Sequence, residues 1–143
     1  MASNAERAAI LARAIEASIE GDSSVIAELY SDDVEGWSPG LTVSSAVELA
    51  VELEDRDEAL SDVVLDFRPL DVGGDQACIE WVATATHSGP LLSDDETVLE
   101  ATGRRVTLQG VTVADFAGDR ICAFRQYWDE VALLEQLDFL PDD

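Results

Sequence analysis

DQACIEWVATATHSGP, residues Asp75–Pro90, is the stretch that decides the fold. Within it Ile79, Trp81, Ala83 and Ala85 form an apolar row, while Cys78, Glu80, Thr84 and Thr86 lie on the other face. That period of two marks a β-strand with one side against a core. The run enters through Gly73-Gly74-Asp75 and leaves through His87-Ser88-Gly89-Pro90, both turn signals. Working outward, Arg104 to Phe116 reads as a second strand that turns at Ala117-Gly118-Asp119 directly into a third, Arg120 to Trp128. Connections this short join antiparallel neighbours. Upstream, Val63, Leu65 and Phe67 alternate in a further strand, and downstream a short amphipathic helix closes the chain by about Leu140.

The N-terminal part has helical period instead. Ser3-Asn4-Ala5-Glu6 has the form of a capping box, followed by Ala9, Ile10, Ala14, Ile15 and Ile19, with Gly21 as the stop. Asp22 or Ser23 caps a shorter second helix with a Val25, Ile26, Leu29, Tyr30 stripe. Val34 to Ser38 reads as a small strand stopped by Pro39-Gly40. A third helix starts near Ser44-Ser45, with Ser45 and Glu48 in capping-box register, and runs to about Leu60 over a solvated acidic face. Segregated helices and strands in a chain of 143 residues give one α+β domain spanning residues 1–143, with a strongly curved antiparallel sheet. The long Ser88 to Ala101 loop reads as a rim or lid.

The chain carries 31 acidic residues against 8 arginines, with no lysine, for a net charge of −23. Such a field repels nucleic acid and anionic membranes, so neither is expected as a partner. The absence of lysine fits a GC-rich genome, and the acid excess resembles the proteins of salt-loving organisms. There is no run long and apolar enough for a membrane span and no signal-peptide pattern, so a cytoplasmic location is expected. Cys78 and Cys122 lie inside strands without metal-ligand spacing, so neither a metal site nor a disulfide framework is expected.

Ile79-Glu80-Trp81 leading to Thr86-His87-Ser88-Gly89-Pro90, then Thr102-Gly103-Arg104-Arg105-Val106, then Tyr127-Trp128-Asp129-Glu130 before Leu133-Leu134-Glu135-Gln136-Leu137, resembles the SnoaL-like branch of the NTF2-like superfamily. The resemblance implies a cone-shaped α+β barrel, three N-terminal helices packed on the concave face of its sheet and a short C-terminal helix. It also implies a hydrophobic pocket for a small ligand and frequent homodimers through the outer sheet face. Its best known members are polyketide cyclases that close rings by aldol chemistry without metal or cofactor; relatives include ketosteroid isomerases and limonene-type epoxide hydrolases. Their catalysis relies on an aspartate of the last strand and a histidine of the strand before it. Alignment on the closing motif puts those positions near Arg125 and Val111, so neither group is kept.

Alternation on the last strand sets Arg125, Tyr127 and Asp129 on one face, and the resemblance turns that row into the cone. Asp129 is then a candidate base, Tyr127 an oxyanion donor and Arg125 a group that orients either of them or holds an anion; Asp129 is equally placed to cap the last helix. His87, the chain's one histidine, is a candidate acid or base, or a structural partner of its turn. Gln109, Trp37, Trp81 and Tyr30 are candidate substrate contacts. Two functions follow. One is a cofactor-independent enzyme of cyclase, isomerase or hydrolase type acting on a small hydrophobic or polycyclic molecule. The other is a non-catalytic ligand-binding or interaction domain. A filled interior with Asp129 turned to the helix would favour the second. Val82, Val106 and Leu108 are the expected apolar contacts of a sheet-to-sheet dimer.

Overall fold

A computed structural model of the chain describes residues 3–39, 41–54, 60–92 and 98–137. The order is α1 (Asn4–Glu20), a 3-10 turn (Ser23–Val25), α2 (Ile26–Leu29), β1 (Tyr30–Ser38), β2 (Leu41–Val43), α3 (Ala46–Glu54), β3 (Leu60–Leu70), β4 (Gln76–His87), β5 (Leu91–Leu92), β6 (Val98–Leu99), β7 (Arg105–Ala117), β8 (Arg120–Trp128) and α4 (Glu130–Gln136). This is the expected α+β architecture. The main sheet has the order β2-β1-β8-β7-β4-β3 and is antiparallel apart from the parallel pair β1–β8. It curves without closing, so the cone is an open one with β2 and β3 as its edges. Ser3 caps α1 by accepting from the Glu6 backbone N–H, and Gly21 ends it at φ 71, a conformation that costs glycine least.

Several boundaries differ from the sequence reading. Tyr30 opens β1 rather than closing a helix, because α2 is a single turn and the chain becomes extended at once. β2 is an additional strand, paired as Trp37↔Thr42. Leu60 begins β3 instead of ending the third helix; the expected end of that helix at residues 55–59 lies outside the described residues. The long loop after β4 contains the small β5–β6 pair, with residues 93–97 outside the described ones.

The core sits between α1 and the inner sheet face, with Leu11, Ile15, Leu29, Leu49, Ile79, Val106 and Ile121 fully or almost fully buried. The row Ile79, Trp81, Ala83, Ala85 faces it as expected, and opposite it on β7 stand Thr112, Gly110, Leu108 and Val106. Among the described residues one charged side chain is buried with the core. Arg7 of α1 is 4% exposed, donates to the Gly74 carbonyl at 2.9 Å, pairs with Asp75 at 3.0 Å and lies over the Phe116 ring. It pins the start of α1 to the turn before β4, and burial makes an unpaired guanidinium or an orphaned carbonyl there costly. Arg7→Ala is expected to cost about 2–3 kcal/mol in chemical denaturation, Arg7→Lys somewhat less because one of two fixed donors is lost.

Candidate functional site

Pairing fixes which way every strand residue points. Gly110 faces Trp128, Thr112 faces Gln126 and Ala114 faces Phe124, and all continue the buried row of β4. The even-numbered side chains of β7 from Gly110 to Phe116 and of β8 from Phe124 to Trp128 therefore line the cone, and before the bulge at Cys122 the inward residue of β8 is Ile121. Arg125 and Tyr127 pair with Val113 and Val111 on the outer face, which corrects the expectation that their row points inward. Gln109, paired with Val82, is also outside and exposed. Val106 and Leu108, expected on the dimer face, are buried in the core.

Inside the cone the polar groups form a neutral chain. The Trp81 indole N–H donates to Thr112 Oγ1 at 3.0 Å, and the Thr112 hydroxyl donates to Gln126 Oε1 at 2.9 Å. Tyr30 is buried beside them, its ring edge-on to Phe124 at 5.8 Å. Burial pushes the Tyr30 phenol well above its ordinary pKa, opposed in part by a hydrogen bond with Ser18. Two aromatic rings fill the rest. A Cβ built at Gly110 would overlap the Trp81 ring, and one at Gly36 would overlap the Phe124 ring, so each ring is seated directly on a glycine. What remains between Leu11, Ala14, Ile15, Ser18, Tyr30, Thr112, Phe124 and Gln126 is a cavity of about 20 Å³. That volume suits a single water, not a substrate.

On the outer face the structure brings together three of the residues singled out from sequence. Trp37 is 43% and Tyr127 46% exposed, with ring centroids 5.1 Å apart, and Arg125 pairs in register with Trp37. The guanidinium of Arg125 meets Asp115 at 3.2 Å. The Gln76 amide, donating at 2.8 Å, together with Arg125 holds the Asp115 carboxyl below its usual range against a smaller opposing effect of burial. An open groove of about 460 Å³ runs beside them along Glu35–Trp37, Thr42–Ser44 and Ala123–Arg125.

The remaining candidates have structural partners. Asp129 is the N-cap of α4, its Oδ1 accepting from the Ala132 backbone N–H at 3.0 Å. Asp129→Ala is expected to cost about 1 kcal/mol of stability and to leave ligand affinity unchanged, read by thermal melting beside a binding titration. His87 is fully buried at the end of β4. Its Nδ1 accepts from the Thr102 backbone N–H at 3.2 Å and lies 3.0 Å from the Thr102 hydroxyl, while its own backbone exchanges bonds with Gly103 and Arg104. This ties the segment before β7 to the end of β4.

A larger concavity lies elsewhere, between the C-terminal half of α1, the start of β3 and the turn after β4. It encloses about 670 Å³, within the range of small-molecule sites, and is lined by Glu16, Ile19, Glu20, Leu60, Ser61, Asp62, Val63, Leu65, Ser88, Gly89 and Pro90. Ile19, Leu60, Val63 and Leu65 make an apolar floor continuous with the core. The Ser61 and Ser88 hydroxyls are hydrogen-bonded at 2.6 Å across it. Asp62 has φ 50, in a β-bulge between Ser61 and Val64, and its carbonyl accepts from Arg105 at 2.9 Å. None of these lining residues was a candidate catalytic or substrate-binding residue from sequence, although Ile19, Val63 and Leu65 were read as apolar positions and the loop from Ser88 as a rim or lid. The signal available was faint: two Ser-containing turns and a break in the alternation at Ser61-Asp62.

Among the described residues no cluster of three or more His, Cys, Asp or Glu side chains is placed to hold a metal ion, and no helix is long and apolar enough to cross a membrane. No curated protein matches the chain. Among solved structures, AclR from Streptomyces galilaeus, assigned as a hydroxylase, is 27% identical with TM-score 0.76, over 98% of this chain and 89% of its own. A protein from Acidithiobacillus ferrooxidans assigned as a polyketide cyclase is 21% identical with TM-score 0.79, over 96% of this chain and 98% of its own. An LEH-like epoxide hydrolase from M. tuberculosis is 14% identical with TM-score 0.68, over 94% of this chain and 90% of its own. The family profile described as SnoaL-like polyketide cyclase matches residues 9–137, nearly the whole chain, and the chain belongs to that family.

Proposed function

We propose that the chain is a cofactor-independent enzyme of the cyclase, isomerase or epoxide-hydrolase type, acting by acid–base chemistry on a small, largely apolar molecule seated in the groove between α1 and β3. The observation that carries this reading is the groove itself: a ligand-sized concavity with an apolar floor and the carboxylates of Glu16, Glu20 and Asp62 at its rim. Family membership and relatives named for cyclase, hydroxylase and epoxide hydrolase chemistry support it. Asp62 is the favoured base, because the bulge fixes its backbone where the strand enters the groove. Titration with 1-adamantanol, followed by NMR, is expected to shift Ile19, Leu60, Val63 and Leu65. Turnover is tested with 2-decalone in D₂O, by α-proton exchange, and with styrene oxide, by diol formation. One of the two is expected to proceed and to stop in Asp62→Asn.

One observation favours the second reading, a non-catalytic ligand holder. The inward positions of the last two strands are the neutral Thr112 and Gln126, and the interior is filled by Trp81 and Phe124. Binding of 1-adamantanol in the groove without either reaction would decide for it.

We also propose that two copies associate through the outer sheet face. Arg68, Arg105, Arg120 and Arg125, half of the chain's 8 arginines, stand there beside Glu35, Asp66, Glu80 and Asp115. In a chain of net charge −23 this face is close to neutral, which two like-charged copies need in order to meet. Exposed Trp37, Tyr127 and Val64 supply apolar anchors. Sedimentation should show a dimer that Tyr127→Glu converts to monomer; a monomeric wild type at about 100 μM would rule this association out.

A further inference from the structure

The groove between α1 and β3 has a chemical bias that its shape alone does not give. Its floor is apolar and its rim carries Glu16, Glu20 and Asp62, while the arginine that reaches its edge, Arg105, donates to the Asp62 carbonyl and the Thr86 hydroxyl rather than to a carboxylate. The three side-chain carboxylates make no hydrogen bond or ion pair with any described residue, whereas elsewhere the described carboxylates that approach an arginine are paired, as Asp75 with Arg7, Glu28 with Arg13 and Asp115 with Arg125. Glu16 and Glu20 also sit in the last two turns of α1, which has no basic residue in its final turn. The negative end of the helix macrodipole therefore adds to their field instead of being offset. A ligand with an apolar body reaching Ile19, Val63 and Leu65 would place its polar end among these carboxylates and the Ser61–Ser88 hydroxyl pair. An anionic head is repelled there, a neutral hydroxyl is tolerated, and a protonated amine is attracted by the exposed carboxylates while its body rests on the apolar floor.

We infer that the groove selects small hydrophobic amines, with the ammonium held at the Glu16, Glu20 and Asp62 rim. This rests on the reading of the groove as the ligand site, and it names the class of molecule that site takes.

The test keeps one apolar body and changes only its head. 1-Adamantylamine, 1-adamantanol and adamantane-1-carboxylate are titrated into the full chain at one fixed ionic strength, with affinities taken from NMR shifts of Ile19, Val63 and Leu65. The amine is expected to bind about tenfold tighter than the alcohol, and the carboxylate weakest, since partly exposed ion pairs each contribute a factor of about two to five. Glu16→Gln with Asp62→Asn should bring the amine to the affinity of the alcohol, and Glu52→Gln, on the exposed face of α3, should not. Equal binding of all three heads, tighter carboxylate binding, or an equal loss in Glu52→Gln would overturn the amine selectivity while leaving the groove as an apolar ligand site. Absence of binding by every probe would remove the groove reading along with it.

Discussion

Gly110→Ala lowers the stability of the domain by about 3 kcal/mol, near the upper end of what overpacking a core normally costs. The reason is what surrounds the absent side chain. A Cβ there overlaps the Trp81 indole and comes within 2.6 Å of the Tyr127 carbonyl oxygen, which belongs to the paired backbone of β8. The indole cannot withdraw without breaking its hydrogen bond to Thr112 and, through it, the contact with Gln126. A backbone carbonyl in a sheet cannot move alone. Gly36→Ala is the control. There the three atoms nearest a Cβ all belong to the ring of Phe124, a half-buried side chain that can turn away, so the expected loss is about 1–2 kcal/mol. Adding Phe124→Ala to Gly36→Ala should cost less than the sum of the two single changes, because truncating Phe124 removes the collision that Gly36→Ala creates. Urea denaturation of the four variants measures all of this. A loss below about 1 kcal/mol for Gly110→Ala would mean the Trp81 ring is not seated as described.

Transfer from about 1 M salt to dilute buffer is expected to lower the melting temperature by on the order of 10 °C, or about 3 kcal/mol for a domain of this size. The net charge is −23, and the described ion pairs are few, so unscreened carboxylates repel one another with little to offset them. At about 1 M salt the screening length shrinks to about 3 Å and most of that repulsion disappears. The repulsion is spread over exposed side chains such as Glu48 and Glu52 of α3. It should therefore respond alike to any monovalent salt at equal ionic strength, most steeply at the dilute end. A melting temperature independent of salt would assign the acidity to genome composition alone.

How much of this was legible in the sequence depended on whether a pattern was local or shared between strands. The apolar row of β4 and the Ser3 cap of α1 are local, and both form as read, although Glu6 reaches back to the Ser3 hydroxyl instead of the Ser3 backbone N–H. The inward face of β7 was not read: Val106 and Leu108 were expected on the dimer face and Gln109 at the ligand, because Val111, Val113 and Ala117 make the row of Arg105, Thr107, Gln109 and Asp115 partly apolar as well. On β8 the alternation is ambiguous, with Phe124, Gln126 and Trp128 opposed to Arg125 and Tyr127, and a bulge at Cys122 shifts the register that would carry the β7 pattern across. The split of Arg125 and Tyr127 from Phe124, Gln126 and Trp128 forms as read, but the resemblance turned the first row inward, and only the pairing with Val111 and Val113 puts it outside. The groove was not legible because its walls come from α1, β3 and the turn after β4, and only folding brings them together.

The most direct test of the ligand seat is the affinity of 1-adamantanol for two variants measured side by side. Ser88→Trp fills the groove from an exposed turn without touching the core, and should weaken binding at least tenfold; Arg125→Ala, on the outer face, should leave it within about twofold. The reverse outcome, with binding lost in Arg125→Ala and kept in Ser88→Trp, would place the ligand at the outer Trp37–Arg125–Tyr127 surface and contradict the account.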